Sequence, residues 1–151
     1  MLQIDNIIFV LGMHRSGTSA VTRLLNILGA DLGGNLLMGH TDINKKGFWE
    51  NREFIDIHDN ILKDFDSAWF DFRSLPKEWW LENEAQSYCS KIIEVIEKDY
   101  NDLDLIAVKD PRLCRLLPLW LECLKKIALN IMCVLALRNP REVVSSLIKR
   151  D

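Results

Sequence analysis

The sequence predicts an α/β domain, a parallel β-sheet flanked by helices. Three observations predict it. Short apolar runs rich in branched residues, Ile7 to Leu11, Leu105 to Val108 and Ile131 to Leu137, have the length and composition of strands buried on both faces. Between them lie longer segments whose apolar residues recur at helical spacing. Each apolar run also ends in a turn-forming segment, and strands alternating with helices are what a parallel sheet with helical crossovers requires.

Taken in order, Ile7 to Leu11 is followed by a glycine-containing turn and then by Val21, Leu24, Leu25 and Leu28 at helical spacing, with Gly29 where a terminating glycine belongs. The stretch from Ala30 to Gly47 holds four glycines with Asp, Asn and Thr, which predicts an irregular segment long enough to carry function. A second helix is expected from Asn51 to Phe65, with Phe54, Ile55, Ile61 and Leu62 on one side. A third is expected from Pro76 to Lys98, its proline in the first turn. Leu105 to Val108 then reads as a strand, Leu113 to Ile127 as a helix and Ile131 to Leu137 as a strand. A last helix starts at Pro140, with Asn139 as its N-cap. In such sheets ligands bind outside the carboxyl ends of the strands. Three loops should therefore converge on one edge: Gly12 to Gly17, Lys109 to Arg112, and Arg138 to Pro140.

At 151 residues, with 48% hydrophobic and 27% charged residues, the chain fits one soluble globular domain. A net charge of −3 gives no electrostatic footprint for nucleic acid, so an anionic ligand must be held by locally placed donors. No apolar run approaches the length of a membrane span, and the amino terminus has no basic region ahead of an apolar stretch, so a cytoplasmic protein is expected. Cys89, Cys114, Cys123 and Cys133 form no C-x-x-C pair and have no histidine at zinc-ligand spacing; the reading is four reduced, mostly buried thiols.

Gly12-Met13-His14-Arg15-Ser16-Gly17-Thr18-Ser19 lies between a strand and a helix, the context a phosphate cradle needs. Glycines permit the tight turn, and N–H groups at the helix start point at an anion that the helix dipole also favours. Against the ATP-binding pattern G-x-x-x-x-G-K-[ST], Thr18 stands where the lysine should be and the cation has moved to Arg15. That departure disfavours a nucleoside triphosphate, whose β and γ phosphates need the lysine.

Arg15-Ser16-Gly17-Thr18-Ser19 resembles the 5′-phosphosulfate loop of the sulfotransferase superfamily. Arg138-Asn139-Pro140-Arg141-Glu142-Val143-Val144-Ser145-Ser146, after the last strand, resembles the family's 3′-phosphate motif, and Lys109-Asp110-Pro111 resembles its K-x-P element. The resemblance implies a three-layer P-loop NTPase-like fold and transfer of a sulfuryl group from 3′-phosphoadenosine 5′-phosphosulfate to a hydroxyl or amine acceptor, leaving adenosine 3′,5′-bisphosphate, without a metal. It implies that Arg15, Ser16, Gly17, Thr18 and Ser19 hold the 5′-phosphosulfate, that Arg138 and Ser146 clamp the 3′-phosphate, and that Lys109 stabilises the departing oxygen.

The base that takes the acceptor's proton is open among Glu50, His40 and Asp42, with Glu50 ranked first. His14 and His58 read as ordinary polar residues, and Trp69, Trp79 and Trp80 as core rather than as an acceptor pocket. The resemblance spans Ile7 to Asp151, and family domains continue past the 3′-phosphate helix. A donor-binding domain lacking the family's carboxyl-terminal part is therefore expected, with a small-molecule or glycan acceptor and with a second copy or a completing chain as partner. Two other readings stay open: a small-molecule or nucleotide kinase using the same loop, and a nucleotide-binding remnant without catalysis.

Overall fold

The computed structural model describes residues 2–37, 39, 47–100 and 103–148. The chain runs β1 (Ile4–Leu11), α1 (Thr18–Ile27), α2 (Arg52–Asp64), a 3-10 turn (Trp79–Leu81), α3 (Asn83–Gln86), α4 (Tyr88–Asp99), β2 (Ile106–Lys109), α5 (Leu113–Leu124), β3 (Ala128–Leu135) and α6 (Pro140–Ile148). The three strands form one sheet in the order β2-β1-β3, and both pairings are parallel. The expected α/β architecture is present: a three-stranded, all-parallel sheet flanked by helices.

β1 lies in the centre because its residues can be buried on both sides; Ile4, Ile7, Phe9 and Val10 are all at most 1% exposed. One face of the sheet carries the main core. Phe9 meets Trp120 of α5 edge to face at 5.4 Å, and Trp120 in turn meets Phe54 of α2 at 4.9 Å. The other face carries a smaller cluster of Ile8, Ala30, Leu32 and Ala107. The register places Val10 opposite Lys109 on one side and Val134 on the other, so the three strands end together and their loops share one edge.

α2 matches its expected span. Asn51 caps it by accepting from the backbone N–H of Glu53 at 2.9 Å and of Phe54 at 3.2 Å, which satisfies two donors that a helix start leaves open. Asn139 accepts from the Arg141 N–H at 3.0 Å at the start of α6.

Three expectations are corrected. The predicted helix from Pro76 to Lys98 is broken. Glu78 takes a left-handed φ of 57° and Glu82 is extended, which resets the helical phase so that buried Trp79 meets Phe65 while Ala85, Tyr88 and Ile92 still reach the core. β3 runs Ala128–Leu135 and is an edge strand, with Leu129, Met132 and Leu135 exposed, although its composition predicts burial on both faces; among the described residues it pairs with β1 alone. Finally, the cysteines are not four reduced, mostly buried thiols: Cys89 of α4 and Cys123 of α5 form a disulfide with Cα atoms 5.1 Å apart, while Cys114 and Cys133 are free and exposed. Spacing in sequence does not reveal such a pair, because the approach of two packed helices creates it.

Among the described residues no helix is long and apolar enough to cross a membrane.

Candidate functional site

The turn after β1 is built by backbone constraints. A Cβ on Gly12, whose φ is +148°, would lie 2.7 Å from the carbonyl oxygen of Ala136 and 2.8 Å from the Ser16 hydroxyl. Glycine is therefore needed where this loop passes the end of β3. Arg15 and Gly17 follow with positive φ of 67° and 96°, and the chain then enters α1 at Thr18. For arginine that backbone costs about 1 kcal/mol, so the surroundings must hold it there. They do: Ser16 donates its N–H (3.2 Å) and its hydroxyl (2.5 Å) to the Met13 carbonyl, Arg15 Nε donates to Ser146 Oγ at 2.9 Å, and Arg138 Nη1 donates to the Arg15 carbonyl at 3.1 Å. The N-cap of α1 is Gly17, which has no side chain to cap the helix, so the N–H groups of the first turn must find partners elsewhere.

A cleft of about 520 Å³ opens beside this turn. Arg15, Gly17, Thr18 and Ser19 line it from the loop, Lys109 and Pro111 from the end of β2, Arg138 from the segment after β3, and Phe48, Trp49 and Glu50 from the chain entering α2. The sequence-predicted residues are thus largely brought together. Ser16 does not line the cleft; its hydroxyl donates to the Met13 carbonyl. Ser146 lies outside this cleft and lines a smaller one of about 380 Å³ with Arg138 and Arg141. His40 and Asp42 fall outside the described residues.

Lys109 is the most constrained cation of the site. Its ammonium, on a side chain only 3% exposed, is paired with the Glu50 carboxylate and donates to the Phe48 carbonyl at 3.0 Å and to Ser19 Oγ at 3.5 Å. Three acceptors match the three donors of an ammonium group. Burial pushes the Glu50 carboxyl above its usual value; Lys109 opposes this, and the nearby Asp110 carboxylate adds to it. The group able to take a proton and the cation beside it therefore come from opposite elements, 59 residues apart in sequence.

Behind the cleft lies a cluster that the sequence reading passed over. His58 of α2 is fully buried, with Nδ1 3.0 Å from Asp110 Oδ2 and Nε2 accepting from the Trp120 indole N–H at 2.9 Å. Asp110 also accepts from the Arg112 backbone N–H at 2.8 Å and from Arg112 Nη1 at 3.1 Å, while Arg112 Nε reaches Asp59 at 2.6 Å. Burial alone would raise the Asp110 carboxyl, but His58 and Arg112 outweigh it and hold the group well below the usual carboxylate range. The available signal was a histidine on the apolar face formed by Phe54, Ile57, Ile61 and Leu62, where an unpartnered polar ring would be costly.

Trp69 departs from its expected place in the core. It is 45% exposed and stands edge-on to His14 at 5.1 Å, beside the cleft wall. Trp79 is buried and Trp80 packs against the core, as expected. On the cleft wall, the Arg23 guanidinium lies over the Trp49 ring at 5.1 Å.

The arrangement is a partly open cleft at the carboxyl edge of a parallel sheet, with cations from all three strand ends, donors at a helix start and one buried carboxylate. Among the described residues no cluster of three His, Cys, Asp or Glu is placed to hold a metal ion. Comparison of the chain with models of protein families, with curated proteins and with solved structures yields no match.

Proposed function

We propose that the chain is the donor-binding domain of a sulfotransferase with a P-loop NTPase-like fold, one that moves a sulfuryl group from 3′-phosphoadenosine 5′-phosphosulfate to a hydroxyl or amine acceptor. The observation that carries the reading is the meeting of Lys109, Ser19 and Glu50 in a cleft that also holds Arg15 and Arg138. A triphosphate site would place its lysine in the loop itself; here the loop has Thr18 at that position, and the buried lysine comes from β2.

In this reading the helix-start donors of Thr18 and Ser19, with Arg15, hold the 5′-phosphosulfate, and Arg138 with Ser146 holds the 3′-phosphate. Sulfuryl transfer is an in-line displacement in which the protein supplies position and charge. Glu50 takes the proton of the acceptor hydroxyl as its oxygen bonds to sulfur. Lys109 stabilises the negative charge that gathers on the bridging oxygen as the sulfur–oxygen bond to the phosphate breaks. The raised pKa of Glu50 suits a base, because a carboxylate far below neutrality has little drive to accept a proton. No step calls on a metal. The acceptor, a small molecule or a glycan, would approach from the side of Trp49 and Arg23.

Calorimetric titration with adenosine 3′,5′-bisphosphate tests the reading. Binding is expected, and Arg138→Ala should weaken it by roughly 10-fold or more, as loss of a charge-assisted phosphate contact does. Binding of ATP with magnesium, and none of the bisphosphate, would instead favour a kinase. Bisphosphate binding with no transfer to any member of a broad acceptor panel would favour the remnant without catalysis.

A further inference from the structure

We infer that His58 is a positioning residue that holds Lys109 opposite Glu50, acting through Asp110. The inference rests on the proposed roles of Lys109 and Glu50 and adds a residue to them. Lys109 ends β2, and Glu50 stands two residues before α2. The 59 residues that separate the pair in sequence do not themselves set the distance between these two elements; apolar packing, such as Phe54 of α2 on Trp120 of α5, brings them together. The cluster behind the cleft then ties them together directly, side chain to side chain. Asp110, covalently next to Lys109, is bonded to His58 on α2, and Arg112, two residues further on, is bonded to Asp59 on the same helix.

The hydrogen bonds define the state of the ring. An indole N–H can only donate, so the His58 Nε2 that meets it at 2.9 Å must be a bare acceptor. The proton is therefore on Nδ1 and is donated to Asp110 Oδ2. In this tautomer each polar atom of the trio has its partner, and among the described residues no buried side-chain nitrogen or oxygen lacks one. The ring is a rigid spacer between α5, α2 and the loop after β2. A long flexible side chain could make the same bonds only at a larger entropic cost.

Glutamine is the polar control, since its amide can donate to Asp110 and accept from Trp120; phenylalanine keeps a ring against Phe54 and loses both bonds. The readout is the ¹⁵N signal of the Lys109 ammonium, which three acceptors in a buried site should protect from exchange with water. The signal is expected in the wild type, retained in His58→Gln and lost in His58→Phe. A signal that persists in folded His58→Phe, or is missing in the wild type, overturns the inference. If His58→Phe does not fold, the imidazole ¹⁵N spectrum of the wild type still decides: a proton on Nε2 of His58 at neutral pH overturns it. These spectra need no donor. Should the wild type fail to bind adenosine 3′,5′-bisphosphate while the Lys109 signal follows His58 as expected, the sulfotransferase reading falls and the positioning role stands.

Discussion

The two flanks of β1 supply opposite halves of the cleft and are built in opposite ways. On the β2 side every strand residue is buried, and the charged groups beyond it are enclosed: Lys109 with Glu50, and Asp110 with Arg112, the His58 ring completing its set of partners. On the β3 side the strand is largely exposed. Arg138 reaches into the cleft from a side chain 42% exposed, paired at 2.9 Å with Glu142, which is itself 60% exposed. A buried charge has few alternatives to its partner, so the first half is fixed before any ligand arrives. A surface pair exchanges readily with water and salt, so the second half can release Arg138 to a competing anion. In the proposed chemistry that division is apt. The groups that act on the breaking bond are held rigidly, and those that grip the far phosphate can adapt.

The largest effect is expected where the enclosed half loses one charge. Lys109→Met leaves the Glu50 carboxylate buried without its cation, and breaking a buried pair from one side costs about 3–5 kcal/mol. The loss must depend on pH. Burial raises the Glu50 carboxyl in the folded state, so its contribution to stability is fully present below the unfolded value of about 4.3 and is lost as pH rises through the folded value. Removing Lys109 takes away an influence that lowers this pKa and so raises it further. Denaturant titrations should then show Lys109→Met closer to the wild type at pH 5 than at pH 8. Adding Glu50→Leu should return most of the stability, since an apolar pair replaces an ionic one at little cost. An equal loss at both pH values would show that Glu50 is not buried against Lys109.

Asp110 gives the opposite slope. Its carboxyl is held low in the folded state, so its contribution is present above the unfolded value of about 3.9 and is lost as pH falls from there toward the folded value. One such group steepens the acid limb by up to about 1.4 kcal/mol per pH unit. Asp110→Asn should flatten the fall in unfolding free energy as pH drops below about 4, by no more than that amount. An unchanged acid slope would mean that other carboxylates carry it.

The same contrast explains what could be read from the sequence. The loop of Arg15 to Ser19 and the Arg138 segment are contiguous, and their positions at strand ends follow from periodicity, so their convergence on one edge was predictable. Lys109 was found for the same reason. Its pairing with Glu50 was not, because Glu50 follows an irregular segment whose path no periodicity fixes. The His58–Asp110–Trp120 cluster was missed because its members come from three elements and each alone resembles a filler of its own helix or loop. The exposure of β3 was missed for a different reason. An apolar, branched strand has the same composition whether or not its faces are covered, and Leu129, Met132 and Leu135 carry no mark of which they meet. The break at Glu82 belongs with these: the packing of Trp79 against Phe65 overrides a helical pattern that local propensity supports.

The smallest effect on stability is expected in the exposed half, and it is the sharpest way to separate holding the fold from holding a ligand. Glu142→Ala removes the partner of Arg138 in a pair where both side chains are more than a third exposed, so its unfolding free energy should differ from the wild type by no more than about 1 kcal/mol. Arg138 would still donate to the Arg15 carbonyl at 3.1 Å, which keeps the guanidinium at the cleft. What changes is the competition. In the proposed donor complex a phosphate would have to displace the Glu142 carboxylate from Arg138 Nε, and an exposed ion pair of this kind is worth about 0.2–1 kcal/mol. Removing it should tighten adenosine 3′,5′-bisphosphate by about 1.5- to 5-fold, an effect that shrinks as salt is added. Looser binding in Glu142→Ala would show that Glu142 orients Arg138 for the phosphate instead of competing with it, and the exposed half of the site would then be as preorganised as the buried one.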